Sequence, residues 1–218
     1  SADPPVTVLI VGGGASGVLT AARIMDATGA RPARVIVVEP NDHLAAGVAY
    51  STEDAEHLLN VRASGMSADP SDPDELVRWI AERGQHDRDT FIARRDYRHY
   101  LLEHLDRAVA HAPDGSVEVR RDRVSGIDVT DDGSCRVQLD SGVVEAVDHV
   151  VLAIGNPPPA IPTPLDQLAG HPSWIPDPWA PGALAACGDA TDVVLVGTGL
   201  TMVDVAITLG RECAPTAR

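Results

Sequence analysis

The sequence predicts an α/β protein: a parallel sheet with helices packed on it, a small β-meander, and the start of a second strand–turn–helix unit. Three observations predict it. Two apolar tetrads, Val8-Leu9-Ile10-Val11 and Val193-Val194-Leu195-Val196, each run through glycines into a helical pattern. A third apolar run, Val35-Ile36-Val37-Val38, follows the first helical pattern. Between Val117 and Val147 lie short β-prone runs punctuated by Asp131-Asp132-Gly133 and Asp140-Ser141-Gly142 turns.

The first unit turns through Gly12-Gly13-Gly14-Ala15-Ser16-Gly17. Gly12 permits a tight turn, Gly14 lets backbone approach a phosphate, and Gly17 lets the helix lie close to the strand. The helix that follows puts Val18, Ala21, Ala22 and Met25 on one face, and Gly29 ends it. The strand Val35–Val38 ends in Glu39, about twenty residues after Gly17, where a ribose-binding acid belongs. The unit is therefore Rossmann-like: backbone N–H groups and the positive end of a helix dipole face a pyrophosphate. Glu39 can accept hydrogen bonds from both ribose hydroxyls and repels a 2′-phosphate. FAD and NAD share the ADP half, so these residues leave both open.

Residues 41–70 form a long polar loop holding Gly47-Val48-Ala49-Tyr50-Ser51-Thr52 and His57-Leu58-Leu59-Asn60-Val61. Loops of this length in compact domains are often functional. A helix follows, with Asp72 as N-cap, Pro73 at its first position, Asp74 and Glu75 on the dipole, and Gly84 closing it. Leu76, Trp79 and Ile80 make its buried face. A longer helix runs from Arg95–Asp96 to about His111, with Tyr97, Leu101, Leu105, Ala108 and Val109 inward, and Ala112-Pro113-Asp114-Gly115 breaks it. Val117–Arg120 and Val124–Val129 then lead to a hairpin, Cys135–Leu139 with Val143–Val147. The strand His149–Ile154 ends at Gly155 and a proline-rich stretch to about Pro181, in which Trp179 reads as a packing residue.

The second unit departs from the spacing: Gly197 and Gly199 are present, but Met202 stands at the third glycine position. The helix continues through Val203, Val205, Ala206 and Leu209, with Asp204 at a solvated position. Two readings stand here, a second dinucleotide site or a structural βα unit. The strand that would read a ribose or a 2′-phosphate lies past Arg218, so NADH and NADPH are not distinguished.

The net charge of −15 argues against nucleic acid and anionic membranes as partners. Hydrophobic content of 44% describes a soluble globular protein, and no apolar run reaches membrane-spanning length. Ser1-Ala2-Asp3-Pro4-Pro5 leads straight into the first strand without a signal-peptide pattern, giving a cytoplasmic expectation. All basic residues are arginine, which excludes Schiff-base and P-loop lysines. Cys135, Cys187 and Cys213 form no CxxC pair, arguing against a flavin–disulfide relay. The eight histidines show no metal spacing; His99 and His104, five apart, share a helix face poorly.

In motif order the chain resembles the FAD/NAD(P)-binding flavoproteins with two dinucleotide-binding domains, of the branch distantly related to flavin-dependent monooxygenases and N-hydroxylases. The resemblance rests on Gly12, Gly14, Gly17 and Glu39, on residues 47–52 and 57–61, on Arg94-Arg95-Asp96-Tyr97, on Ala153-Ile154-Gly155, and on Asp177-Pro178-Trp179. It covers the N-terminal part of such a protein. It implies a FAD-binding domain over 1–160, with a loop and helical insertion at 41–115 and a β section at 117–147. A crossover linker spans 161–190, and 191–218 begin an NAD(P)-binding unit. It implies FAD on Gly12, Gly13, Gly14, Ala15, Ser16, Gly17 and Glu39, with adenine near the Val124 backbone and Gly155 at the domain's closing turn. Gly197 and Gly199 would receive NAD(P)H as co-substrate. Asn60 and His57 would face the flavin or bond their own loop; Tyr50 would stack near the flavin or pack in the core. Arg94 and Arg95 would contact phosphate or substrate, or face solvent. Arg62, Ala93 and Arg98 stand where the family's pattern has a proline, a proline and a small residue.

The implied activity is a FAD-dependent oxidoreductase that takes hydride from NAD(P)H, with monooxygenation or reduction of an acceptor as outcomes. Its partner is a small-molecule substrate or electron acceptor. No residue is assigned as general acid or base, because flavin chemistry resides in the cofactor. An NAD-dependent dehydrogenase and a non-catalytic nucleotide-binding fragment are the alternatives.

Overall fold

The computed structural model describes residues 4–27, 32–157, 160–180 and 182–212. The expected helix end at Gly29, the prolines Pro158, Pro159 and Pro181, and Cys213 lie outside the described residues. The chain divides into two units, one up to Gly155 and one from Asn156.

The first unit opens with β1 (Val6–Val11), α1 (Ala15–Asp26) and β2 (Ala33–Val38). After the long loop come α2 (Glu75–Ala81), α3 (Arg94–Ala110) and β3 (Ser116–Arg120). The meander β4 (Val124–Val129), β5 (Cys135–Leu139) and β6 (Val144–Val147) precedes β7 (His149–Leu152). The main sheet is parallel in the order β3-β2-β1-β7, and β4-β5-β6 form a separate antiparallel sheet.

The apolar runs of β1 and β2 read without alternation because both sheet faces are covered. Val8 and Ile10 of β1, with Val35 and Val37 of β2, pack into a cluster with Val18, Ala22 and Met25 of α1 and Tyr97, Leu101 and Leu105 of α3. Their alternates Leu9, Ile36 and Val38 meet Val137, Leu139 and Val147 of the meander on the opposite face. Register is matched, with Val8 beside Val35 and Ile10 beside Val37. Each buried Val, Leu or Ile contributes roughly 1.5–3 kcal/mol. That offsets the backbone entropy of roughly 1–2 kcal/mol lost per ordered residue, so these strands depend on their neighbours on both faces.

Four expectations are corrected. Val117–Arg120 was grouped by sequence with the β section, but β3 joins the parallel sheet beside β2, with Arg34 on β2 bonded to Glu118 at 2.7 Å. The N-cap of α2 is Asp74, not Asp72; the Asp72 carboxylate turns instead to the Arg78 guanidinium, at 3.0 Å through Oδ1. Gly84 does close that helix: at φ 88° it lets its own N–H reach the Ala81 carbonyl and the Gln85 N–H reach the Ile80 carbonyl.

The third correction concerns the second unit, where Val193–Val196 are not a strand. Val194 is 86% exposed and Val196 58%. A strand needs a neighbour to pair its N–H and C=O groups, and none among the described residues flanks this run. The helix predicted after it does form, α4 (Leu200–Glu212), because its bonds are internal. Val205 and Leu209 of α4 gather with Cys187, and Ile175, Leu184 and Leu195 pack on them. Asp204, expected at a solvated position, is buried.

Candidate functional site

The site is built where β1 meets α1. Gly12 has φ 101° and donates its N–H to the Val38 carbonyl at 2.9 Å. A Cβ there would lie 2.4 Å from the Ala153 carbonyl oxygen, and a Cβ on Gly17 would lie 2.0 Å from that of Gly12. Both glycines are therefore fixed by close backbone packing, Gly12 by its conformation as well. Gly13 is enclosed too: its Cβ would meet Leu44 Cδ2 at 2.6 Å.

Gly14 is the N-cap of α1 in extended conformation, and the cap carries no side-chain hydrogen bond. The first turn holds no acidic side chain. The N–H groups of Ala15, Ser16 and Gly17 thus open the helix without a carboxylate to satisfy them, in the half-turn where the dipole favours an anion. This is the donor set a pyrophosphate requires.

Glu39 at the end of β2 is buried and oriented. Its Oε2 accepts the Gly13 N–H at 2.8 Å, and its Oε1 accepts from the Asn41 N–H at 2.9 Å and the Asn41 Nδ2 at 2.7 Å. Its own N–H donates to the Arg120 carbonyl at 2.9 Å, which ties it to β3. A carboxylate accepts at about four lone-pair sites, so these bonds leave room for a ribose hydroxyl. Asn41 was not singled out by sequence; the signal was a side chain with both donor and acceptor two residues past the acid.

The long loop folds back on the turn. The Ala45 N–H donates to the Gly13 carbonyl at 2.7 Å, with Ala45 at φ 58°, and Gly47 Cα lies 3.6 Å from where a Gly14 Cβ would sit. Tyr50 packs on the helical core with its ring 5.1 Å from Tyr97, and burial raises its hydroxyl pKa against the opposing charge of Arg94. His57 is buried, with Nδ1 2.7 Å from Thr52 Oγ1 and Nε2 3.7 Å from Asp54 Oδ2. Asn60 is exposed. Arg94 Nε donates to the Leu58 carbonyl at 3.0 Å and Arg95 to the Glu53 carbonyl at 2.9 Å. Both arginines face the loop backbone.

Val124 opens β4 opposite Leu139, at a bulge before Gly126. Gly155, at φ 69°, follows β7, whose register is prolonged by the Ala153 N–H donating to the Val11 carbonyl at 2.8 Å. The structure thus joins Gly12–Gly17, Glu39, Ala45 and Ala153 by direct bonds or contacts. Gly197, at φ 115°, and Gly199 belong to the second unit, and nothing lies within 4 Å of a Cβ on either. No described helix is long and apolar enough to cross a membrane.

Residues 9–157 match the family model described as FAD-NAD(P)-binding. A search of curated proteins finds no match. Among solved structures, the chain is similar to S-allyl-L-cysteine S-oxygenase from Allium sativum, at TM-score 0.50 and 18% identity over 73% of this chain and 39% of that one. It is similar to a cyclohexanone monooxygenase mutant from Rhodococcus sp. Phi1 bound to NADP+, at TM-score 0.49 and 18% identity over 72% and 29%. A thioredoxin reductase from Gloeobacter violaceus matches at TM-score 0.41 and 18% identity over 77% and 42%. At these identities the likeness is one of fold. The chain spans 29–42% of the length of these structures.

Proposed function

The chain belongs to the FAD-NAD(P)-binding family, and on that premise we propose that it is the FAD-holding part of an oxidoreductase that takes hydride from NAD(P)H. The observation that carries the reading is the joined geometry of the glycine turn and Glu39. An uncapped helix N-terminus supplies N–H donors, and an oriented carboxylate lies one hydrogen bond away at Gly13. These residues fit the ADP half of FAD.

In this reading the N–H groups of Ala15, Ser16 and Gly17 hold the pyrophosphate, and Glu39, aligned by Gly13 and Asn41, accepts from a ribose hydroxyl. The Val124 backbone receives adenine. Tyr50, His57 and Asn60, on the loop that returns over the turn, and Gly155, past β7, border the flavin side. Bound FAD supplies hydride acceptance and onward electron transfer. The chain's own residues bind it, orient it and exclude water from it. Gly197 and Gly199 open the unit that receives NAD(P)H. Monooxygenation and reduction of a small-molecule acceptor are the two activities within this proposal.

The test is an absorption spectrum of the purified full chain before and after FAD addition and desalting, followed by anaerobic mixing with NADH or NADPH. Retained bands near about 370 and 450 nm, bleached by one nicotinamide nucleotide, are expected. A flavin-loaded chain that neither nucleotide bleaches would refute hydride transfer from NAD(P)H on this chain. Tight NADH binding with no uptake of FAD would favour a nicotinamide-only enzyme. Admitting air after bleaching separates the two activities: oxygen consumption that rises with an organic substrate marks a monooxygenase.

A further inference from the structure

The loop that returns over the glycine turn is fastened at both ends. The Ala45 N–H meets the Gly13 carbonyl at 2.7 Å, and the Leu59 N–H meets the Ile92 carbonyl at 2.8 Å, beside a bridge between Leu58 and Ala93. Between those points the loop runs without a strand or helix of its own. Its middle is held by the first turns of α3. Arg94 Nε donates to the Leu58 carbonyl at 3.0 Å and Arg95 to the Glu53 carbonyl at 2.9 Å. Arg98 donates to the Tyr50 carbonyl at 3.3 Å and to Glu53 Oε1 at 2.6 Å.

Arg98 is the decisive member. Its side chain is only 7% exposed, while its partner Glu53 is 65% exposed. A guanidinium withdrawn from water is costly unless its donors are met, and the acceptors of this one, the Tyr50 carbonyl and the Glu53 carboxylate, lie in the loop. A small residue in its place would remove that cost and leave the loop middle unheld. We propose that Arg98, seconded by Arg94 and Arg95, is a positioning residue for the dinucleotide: it clamps residues 49–58, the stretch that continues from Gly47, whose Cα lies beside Gly14. This rests on the FAD-binding reading above. The clamp acts on the ligand through the loop, since its donors face loop oxygens.

The experiment uses full-chain variants Arg98→Met, Arg98→Lys and Glu53→Gln, with Arg78→Met as control, because Arg78 pairs with Asp72 at an exposed position. Two quantities are read: amide hydrogen exchange of residues 49–58 in the ligand-free chain, and the FAD dissociation constant. Arg98→Met is expected to speed that exchange and to weaken FAD by about tenfold or more, the range of lost hydrogen bonds from a charged donor. Amides of β1 and β2 should keep their protection. Arg98→Lys should recover part of the affinity, and Arg78→Met should match the parent within twofold.

Unchanged exchange in 49–58 overturns the clamp, as does faster exchange with FAD affinity within twofold of the parent. If Arg98→Met loses protection in β1 and β2 it has failed to fold, and Glu53→Gln decides instead: a shift in both quantities supports the clamp, and no shift in either one overturns it. A parent chain that takes up no FAD refutes the flavin reading alone. The clamp is then judged with NADH as the probe on the same turn, by the same criteria.

Discussion

At Gly17 one hydrogen atom separates a folded turn from a collision. A methyl there would stand 2.0 Å from the Gly12 carbonyl oxygen, which is backbone and cannot swing aside. Gly17→Ala is expected to destabilise the chain by at least about 2 kcal/mol, at the upper part of the overpacking range, and to abolish FAD retention. A urea unfolding midpoint equal to that of the parent would contradict the close packing of α1 on β1. Glu39 can be tested more gently. Glu39→Gln keeps the shape but leaves only one accepting oxygen, so the bonds at either Gly13 or Asn41 are replaced by an NH2 group facing N–H donors, a loss of at least about 1 kcal/mol. FAD titration should show affinity lowered by roughly fivefold to tenfold. The glycines and Glu39 were legible in the sequence because spacing alone implies their geometry. Asn41 and Arg98 were not, because their partners are backbone and side-chain atoms that only the folded loop brings near.

At the scale of elements, α2 and α3 are tied through Glu75. Its carboxylate accepts from the Tyr100 hydroxyl at 2.5 Å and lies 3.1 Å from His104 Nδ1, with Arg107 also bonded to it. Burial alone would raise the pKa of Glu75, but the bonds from Tyr100 and His104 and the charge of Arg107 outweigh it and hold the group below 4.5. A carboxyl depressed in the folded state contributes stability that is fully present above about pH 4.5 and is lost as pH falls through the folded value. Urea unfolding from pH 7 to pH 3 should therefore show a fall below about pH 4.5 that is shallower in Glu75→Gln. At pH 7 that variant should be less stable by about 1–3 kcal/mol. A parallel offset of the two curves at every pH would assign the fall to other carboxylates. Helix positions were legible element by element, since α1, α2 and α3 carry a clear apolar face. The cap of α2 was misread because Asp72 had a competing partner, Arg78, one turn inside the helix. The tetrad Val193–Val196 was misread because a strand's apolar run is a necessary signal but not a sufficient one.

Over the whole molecule the charge of −15 dominates encounters at a distance. Duplex DNA carries a dense negative charge, so fluorescence anisotropy at 50 mM salt should detect no binding with a dissociation constant tighter than about 100 μM. A salt-sensitive rise in anisotropy would reveal a local basic surface that the net charge conceals. The sequence by itself determined the parallel α/β class and the first strand–turn–helix with its acid. Each of these depends on neighbours close in the chain or on periodicity, which sequence carries directly. Only the tertiary structure decided that β3 joins the parallel sheet, that the meander covers the face of β1 and β2 opposite the helices, and that α3 grips the long loop through Arg98. Those outcomes depend on which distant backbone groups find partners, and hydrogen-bond complementarity between distant segments leaves no local trace in a single chain.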